Sequence, residues 1–161
     1  MNETIIRDAR EEDMEQVLQL IKELAAFERE PDAVNITVEE LRSDGFSPQP
    51  AFHCFVAEVN GKIQGMALIY QRYSTWQGKT IHLEDLMVRE KMRGTGIGTA
   101  LFTAVIQYGY KRGVRRIEWN VLDWNAPAIA FYKKNGAKIL NNWNLVQLDE
   151  QGIKNYISNL Q

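Results

Sequence analysis

The sequence is poor in cysteine, and this limits both its chemistry and its expected location. Among 161 residues Cys54 is the single cysteine, so no internal disulfide can form. Structural disulfides belong mainly to oxidising compartments. We therefore expect a reducing compartment, the cytoplasm. The apolar run Phe52–Val56 surrounds Cys54, and because buried cysteines are usually inert, a nucleophilic thiol is not expected.

Long apolar runs and an excess of one charge are also missing. No stretch approaches the roughly 20 apolar residues needed to cross a bilayer, and Met1–Thr4 lacks the basic and apolar regions of a signal peptide. The 19 Lys and Arg residues against 21 Asp and Glu residues give a formal net charge of -2, whereas nucleic-acid binders usually carry a basic excess. We expect neither a membrane nor a nucleic-acid partner.

Metal-ligand spacing is likewise absent. His53 and His82 lie in apolar strand-like contexts with no second ligand at a recognised spacing, so we expect no metal site. The composition, 45% hydrophobic and 25% charged, is typical of a globular protein. Since the chain also lacks linkers and repeats, we predict one domain spanning residues 1–161.

The most informative stretch, residues 81–104, reads as a strand, a charged loop, a glycine-rich turn and a helix. The strand is predicted over Ile81–Val88 and the turn over Gly94–Gly98. Glycines at a helix start leave backbone N–H groups accessible, and the first N–H groups of a helix form an anion site. Arg93 adds a positive charge. The pattern predicts a phosphate or pyrophosphate ligand.

Alternative interpretations of this glycine cluster can be compared by spacing. A P-loop needs Gly-Lys-Ser/Thr, which the Gly98-Thr99-Ala100 sequence lacks. A dinucleotide fingerprint needs a glycine where Thr99 stands, and no charged loop after the strand. A glycine-rich turn without any ligand stays open. The remaining pattern, Arg93-Gly94-Thr95-Gly96-Ile97-Gly98, resembles the pyrophosphate-binding motif of GCN5-related N-acetyltransferases, which bind acetyl-coenzyme A.

The order of predicted elements is βααβββαβαββ. Asn60-Gly61 predicts a hairpin turn between strands, and Thr37 to Glu40 reads as a capping box. A helix crossover before Arg116–Leu122 favours parallel pairing with Ile81–Val88. Late strands are predicted over Lys138–Leu140 and Trp143–Leu148, followed by a polar terminal segment. We predict an α+β fold with a mixed, mostly antiparallel sheet and helices on both faces.

Glu84 and Asp85 are the first candidates for acid–base chemistry. As neighbours on a strand they should point to opposite faces unless a bulge intervenes. A charge within an apolar strand is costly unless it has partners or faces a wet cleft. We expect one of them, taken as Glu84, to accept a proton from an attacking amine, directly or through water. A carboxylate satisfied by backbone N–H groups is the alternative.

Tyr132 is the second candidate, on a helix that Asn125 is expected to cap. Periodicity alone fits a core aromatic, while a phenol can also protonate a thiolate leaving group. The basic run from Lys111 to Arg116 fits charge stabilisation at a helix C-terminus, with a coenzyme 3′-phosphate as the alternative.

These blocks together resemble the diamine acetyltransferase group of the GCN5-related N-acetyltransferases, which includes spermidine/spermine and thialysine enzymes. The resemblance rests on Leu83-Glu84-Asp85, Arg93–Gly98 and Asn125 through Tyr132, with further blocks along nearly the whole chain. It implies a homodimer and transfer of an acetyl group from acetyl-CoA to a small primary amine, by direct attack in a ternary complex.

The resemblance also implies roles for particular positions. The pantetheine arm and acetyl carbonyl would be held by the backbone of Leu86, Met87 and Val88. The pyrophosphate would lie on Arg93, Gly94, Thr95, Gly96, Ile97, Gly98 and Thr99. The helix start at Asn125, Ala126, Pro127 and Ala128 would approach the coenzyme. Tyr132 would be the proton donor. The amine would be bordered by Phe27, Glu28, Glu84, Glu118, Trp119 and Asn120.

Two departures from the polyamine enzymes bear on the amine. Ser74 stands where those enzymes carry Asp, and Asn141-Asn142 replaces an acidic pair. Both remove negative charge that would meet a long polycation, and Val121–Asn125 is closer to the thialysine branch. Thialysine-like amino acids or diamines are therefore the expected substrates. A polyamine acetyltransferase, a non-catalytic acyl-CoA sensor and a nucleotide-binding domain are the alternatives.

Overall fold

The computed structural model describes residues 3–160, which form two compact units that divide between Asn120 and Val121. The first unit contains a five-stranded sheet in the order β1-β2-β3-β4-β5. Its strands are β1 (Thr4–Asp8), β2 (His53–Val59), β3 (Lys62–Ser74), β4 (Gly78–Val88) and β5 (Ile117–Glu118), and its helices are α1 (Met14–Phe27), α2 (Val38–Phe46) and α3 (Ile97–Lys111). Neighbouring strands are antiparallel except β4 and β5, which are parallel.

Local sequence signals explain the positions of several turns and caps. Asn60 and Gly61 join β2 to β3 with φ angles of 52° and 73°, which is the conformation that this hairpin requires. Thr37 and Glu40 form the predicted capping box at the start of α2. That helix continues to Phe46, beyond the predicted end near Arg42.

Helices cover both faces of the sheet. On one face, Val17 and Leu20 of α1 share a buried cluster with Met66 of β3 and Met87 of β4. Gly65 is adjacent to Met66 and faces the other way. A Cβ atom placed on it would lie 3.1 Å from Leu101 Cδ1 of α3, so this glycine lets α3 approach the second face closely. The predicted α+β architecture is confirmed.

A β-bulge lies at Glu84 in the pairing of β3 with β4. Leu68 pairs with Asp85 and Ile69 pairs with Leu83, so Glu84 has no position of its own in the register. A bulge inserts one residue and re-aims the side chains beside it. The expectation that Glu84 and Asp85 point to opposite faces held unless a bulge intervened, and such a bulge is present here.

The second unit contains α4 (Ala126–Lys134) and α5 (Glu150–Ser158). The two late strands, predicted over Lys138–Leu140 and Trp143–Leu148, are absent from the described part of the chain, where these residues lie outside regular elements. The polar terminal segment, for which no helix was predicted, contains α5, and the Asp149 side chain accepts a hydrogen bond from the Gly152 amide at 2.7 Å. Strand β5 is also shorter than the predicted Arg116–Leu122.

Among the helices of residues 3–160, none combines the length and the apolar composition that a bilayer crossing requires.

Candidate active site

The glycine-rich turn before α3 has the geometry of an anion site. Gly94 and Gly96 have φ angles of 76° and 89°, a region that favours glycine. Gly96 is the N-cap of α3, and no described side chain caps the helix there. The Ala100 amide donates to the Gly96 carbonyl at 3.0 Å, so the amides of residues 97–99 precede the first intrahelical bond and remain available to a ligand.

The glycines of this turn are not equivalent. A Cβ atom on Gly98 would lie 3.7 Å from Val88 Cγ2, an ordinary contact, and Gly98 has no positive φ angle. Ile97, between the two kinds of glycine, is 2% exposed, so its side chain anchors α3 while its amide faces the turn. The conformational requirement for glycine is therefore at Gly94 and Gly96.

Arg93 links the glycine-rich turn to the end of α1. Its guanidinium carbon lies 5.1 Å from the centre of the Phe27 ring, within the range of a cation–π contact. Its Nε atom donates to the Val88 carbonyl at 3.3 Å. The structure thus brings together Arg93, predicted to bind the coenzyme, and Phe27, predicted to border the amine.

The end of β4 offers backbone groups along an edge of the sheet. In residues 3–160, β5 pairs with β4 at Ile81 and His82. The Arg89 amide donates to the Gln64 carbonyl of β3 at 2.9 Å. Because backbone groups alternate along a strand, the amides of Val88 and Leu86 point away from β3, and the Met87 amide points toward it.

The three residues at this strand end consequently differ in what they offer a ligand. Leu86 and Val88 present amides to the free edge, where a carbonyl or amide group of a ligand could bind. Met87 is 5% exposed and belongs to the core on the α1 face. Its predicted role in coenzyme binding has less support from the backbone geometry than that of its two neighbours.

Three carboxylates gather where the end of α1 meets the bulge of β4. Glu28 follows α1 directly, and burial raises its pKa. Burial, together with the negative charges of Glu84 and Glu28, raises the pKa of Asp85 to about 6. A carboxyl group with such a pKa changes its proton near neutral pH, as acid–base chemistry requires. The arrangement favours a cation between the carboxylates.

Glu84 has neighbours on two strands. His82 Nε2 lies 3.5 Å from Glu84 Oε2, and the Glu84 side chain is 53% exposed. Tyr70 is close enough that the negative charge of Glu84, after burial, raises its pKa. The carboxylate therefore reaches solvent while contacting both groups. A group so placed can exchange protons with a bound ligand or water.

Glu118–Asn120 is the third predicted substrate-binding segment. Its first two residues already contact other side chains of the protein. The Glu118 carboxylate lies 2.6 Å from Arg72 and 2.9 Å from Arg116. Trp119 packs edge-on against Phe102 of α3, with ring centres 5.6 Å apart. The two arginines largely neutralise Glu118, so its pull on a cation is weaker than its charge alone suggests.

The second unit contains the remaining predicted residues. Asn125 caps α4 as predicted, its side-chain oxygen accepting a hydrogen bond from the Ala128 amide at 3.4 Å, with Pro127 in the first turn. Tyr132 is partly buried and its ring lies 5.5 Å from that of Phe131. Burial raises the pKa of Tyr132, so the phenol keeps its proton at neutral pH. These features suit a proton donor.

The structure also bears on three other candidate features, namely the Cys54 thiol, a metal site and the basic run at the end of α3. Burial raises the pKa of Cys54 to about 12, which disfavours the reactive thiolate. Among residues 3–160, no group of three or more His, Cys, Asp or Glu side chains is placed to hold a metal ion. Arg112 lies 3.4 Å over the Tyr108 ring, near the end of α3 opposite to the glycine-rich turn.

Two residues of the site were not singled out as partners of Glu84 from the sequence. His82 is two residues before Glu84 on β4, so the alternation of side chains along a strand could have related the two. Tyr70 faces His82 from β3, and only the strand register brings it there. Asp85 was recognisable as a charge in an apolar strand, but its pKa is raised chiefly by burial, with Glu84 and Glu28 adding to the effect, and the tertiary fold sets that burial.

Comparison with known proteins gives a consistent result. Residues 8–137 match the acetyltransferase (GNAT) family. The chain is 40% identical over 148 residues to thialysine N-epsilon-acetyltransferase of Sus scrofa, covering 87% of each chain. It is 35% identical over 156 residues to spermidine/spermine N(1)-acetyltransferase-like protein 1 of Homo sapiens, covering 91% of this chain and 22% of that one.

A solved structure extends the comparison to three dimensions. AAC(6′)-Iy in complex with a bisubstrate analogue of CoA and acetylneamine matches with a TM-score of 0.75 at 18% identity, covering 90% of this chain and 97% of that one. At this identity the likeness concerns the fold alone. Together with the family match and the 40% identical relative, it leads to one conclusion. The chain belongs to the acetyltransferase (GNAT) family.

Proposed function

We propose that this protein is a single-domain enzyme that transfers the acetyl group of acetyl-CoA to the primary amine of a small, thialysine-like amino acid or diamine, by direct attack in a ternary complex. The observation that carries the proposal is that the acidic bulge and the glycine-rich turn are close to each other within one unit. Strand β4 carries the acidic bulge at Glu84 and leads directly into the glycine-rich turn before α3. An anion site and a cation site thus lie along one strand.

The coenzyme half of the proposal rests on backbone groups. The available amides of residues 97–99 and the left-handed glycines fit a pyrophosphate. The outward amides of Leu86 and Val88 suit the pantetheine amides and the acetyl carbonyl, and the start of α4 from Asn125 to Ala128 would complete this side. Acetyl-CoA supplies the activated acyl group as a thioester.

The amine half rests on the carboxylates. Glu84 accepts a proton from the ammonium group, directly or through water, and thereby provides the neutral amine that attacks. Glu28 and Asp85 favour a cation at this place, and Phe27, Glu118, Trp119 and Asn120 border it. Burial and, after it, repulsion from Glu84 and Glu28 raise the pKa of Asp85 to about 6. This supports the proposal, because a bound cation would stabilise the charged form that both effects disfavour.

In this proposal, one group stabilises the tetrahedral intermediate and a second assists its breakdown. The Val88 amide donates to the developing oxyanion, a contribution that requires a donor fixed in advance. Tyr132 gives its proton to the departing thiolate. Its raised pKa supports this role, since the phenol remains protonated at the pH at which the amine reacts.

The choice of amine is tested by a kinetic panel of thialysine, lysine, putrescine, spermidine and spermine, read as release of coenzyme A. We expect kcat/KM to favour thialysine or a short amine. A lost charge-assisted contact weakens binding by about 1.5–3 kcal/mol, or roughly 10–150-fold. Absence of coenzyme A release with every amine would contradict enzymatic function, and preference for spermine would contradict the proposed choice.

Ser74→Asp is the matched variant for this panel. The Ser74 hydroxyl accepts hydrogen bonds from the Trp76 and Gln77 amides at 3.1 and 3.2 Å. An aspartate oxygen can accept the same bonds, so the turn should persist while a charge is added. A shift toward polyamines is expected. No shift would show that this charge does not set the choice.

A homodimer is also proposed, and it is supported by exposed apolar side chains in the second unit. Trp143, Leu145 and Val146 are 66%, 72% and 87% exposed, and such clusters commonly mark protein interfaces. Light scattering should give twice the mass of the 18.6 kDa chain, and Val146→Asp should reduce it. A monomeric wild type would contradict the homodimer.

The cytoplasmic location expected from the sequence remains part of the proposed function. It is supported by Cys54, which is buried and forms no disulfide.

A further inference from the structure

Glu84 lies at the bulge of β4, where the strand register gives it no partner position. A bulged residue is not fixed by the ladder as its neighbours are, and a glutamate side chain is flexible. A base must nevertheless be held within hydrogen-bond reach of the proton that it accepts. Contacts from other side chains must therefore set the position of this carboxylate.

Two such contacts come from facing positions on adjacent strands. Tyr70 of β3 pairs with His82 of β4, and their rings lie 5.0 Å apart at an angle of 37°. The pKa of Tyr70 is raised chiefly by burial and next by the negative charge of Glu84, so the phenol lies close to this carboxylate. His82 Nε2 lies 3.5 Å from Glu84 Oε2. That distance exceeds the range of about 2.7–3.2 Å that is usual for an N–H···O hydrogen bond, so the two groups are close neighbours rather than a tight pair.

The protonation of His82 follows from its surroundings. The residue is 7% exposed, and burial lowers its pKa, reinforced by Arg72 and opposed by Glu84 and Glu118. His82 is thus neutral near pH 7, with one N–H group. Among residues 3–160, the buried Nδ1 atom has no hydrogen-bond partner. Because an ionised carboxylate only accepts, the hydrogen belongs on Nε2, facing Glu84.

Other charges near His82 do not compete for this role. Glu118 forms ion pairs with Arg72 and Arg116 at 2.6 and 2.9 Å, so its negative charge is largely compensated. Tyr70 faces His82 with a neutral phenol, whose pKa is raised chiefly by burial. Glu84 is therefore the charged group toward which the His82 N–H is directed.

We propose that His82 and Tyr70 are positioning residues, two neutral donors that hold the bulged Glu84 carboxylate in its ionised form for proton abstraction. This inference rests on the proposed function and adds to it the groups through which Glu84 is held. A donor that faces a carboxylate favours its charged form. Removal of the donor should therefore make Glu84 harder to ionise and less well placed.

The test compares four variants with the wild type in the pH profile of kcat. His82→Phe keeps a buried ring and removes the donor. His82→Gln restores an N–H group, and Tyr70→Phe removes only the hydroxyl. Thr80→Val is the matched control. Thr80 is a fully buried residue of the same strand whose hydroxyl donates to the Arg72 carbonyl at 3.2 Å.

For His82→Phe we expect kcat at neutral pH to fall about 10-fold and the acidic limb of the profile to move up by roughly one pH unit. The affinity for coenzyme A should not change. Tyr70→Phe should move the limb in the same direction, and His82→Gln should recover most of the loss. Thr80→Val should keep the wild-type profile.

An unchanged acidic limb in both His82→Phe and Tyr70→Phe would overturn the proposal, as would an equal shift in Thr80→Val. If His82→Phe does not fold, Tyr70→Phe and His82→Gln decide by the same criteria. In all of these outcomes an active wild type leaves the proposed function intact. A wild type that releases no coenzyme A with any amine overturns the proposed function and this inference together.

Discussion

The glycine-rich turn and the bulge of β4 belong to the same unit but offer ligands different parts of the chain. The turn presents backbone amides, and its requirement is conformational, with φ angles of 76° and 89° at Gly94 and Gly96. The bulge presents carboxylates, and its requirement is electrostatic, with the pKa of Asp85 raised to about 6. Substitutions should therefore separate binding of the coenzyme from chemistry on the amine.

Tyr132→Phe should give the largest effect, because it removes a side-chain proton donor and leaves all backbone groups in place. Loss of an acid–base group typically lowers kcat by about 10²–10⁴-fold. Steady-state kinetics should show that fall, while calorimetric titration should show unchanged affinity for coenzyme A. Turnover close to that of the wild type would make Tyr132 a packing residue.

Glu84→Gln should follow, with kcat lowered by about 10²–10³-fold. The amide is nearly the same size as the carboxylate but accepts no proton, so coenzyme A affinity should again be unchanged. Glu39→Gln, in the exposed first turn of α2, is the control and should retain wild-type kinetics. A Glu84→Gln enzyme of normal kcat would assign the base to another group, with Asp85 the next candidate.

Gly96→Val tests the other side of the comparison. A non-glycine residue in the left-handed region costs about 1–3 kcal/mol, which corresponds to roughly 5–150-fold weaker coenzyme A binding if the turn changes conformation. Gly98→Ala is the matched control, since its added Cβ atom would meet only Val88 Cγ2, at 3.7 Å. Equal affinities in the two variants would remove this turn from the coenzyme site.

Asp85→Asn should change stability with a defined pH dependence. The pKa of Asp85 is raised to about 6 in the folded protein, above the value of about 3.9 for an unfolded chain. Ionisation of Asp85 therefore lowers the free energy of unfolding progressively from about pH 4 to pH 6, and the full loss is present above pH 6. The variant should match the wild type near pH 4 and exceed its free energy of unfolding by about 1–3 kcal/mol at pH 7.5. Denaturant titrations at both pH values measure this. Equal stabilities at pH 7.5 would contradict the cause given for the raised pKa.

Arg93→Ala should have the smallest effect. A cation near the turn contributes about 0.2–1 kcal/mol at an exposed position, so coenzyme A affinity should fall only about 2–5-fold, and less in high salt because of screening. Lys111→Ala, at the opposite end of α3, should leave affinity unchanged. A larger loss that does not depend on salt would mean that Arg93 acts by holding the turn in place.

The backbone half of the site was largely predictable from sequence, because its signals are local. Glycines at Gly94 and Gly96, the Asn60-Gly61 hairpin and the Asn125 cap each specify a conformation within a few residues. The structure agrees at all of these positions.

The side-chain half was less predictable, because it depends on strand register. The bulge at Glu84 exists only in the pairing of β3 with β4, and the contact between Tyr70 and His82 follows from that pairing. Trp143–Leu148 has strand-like alternation, but within residues 3–160 no strand pairs with it. Helix α5, in contrast, had a readable signal, since Asp149 caps it and Ile153, Tyr156 and Ile157 recur at helical spacing.

The most direct test of the account is to measure coenzyme A affinity and kcat together in Gly96→Val and Glu84→Gln. The account predicts opposite patterns. Gly96→Val should lose affinity for coenzyme A and keep most of kcat at saturating acetyl-CoA, whereas Glu84→Gln should keep the affinity and lose kcat. If both variants lose both quantities in the same proportion, the turn and the bulge do not act separately, and the central claim is wrong.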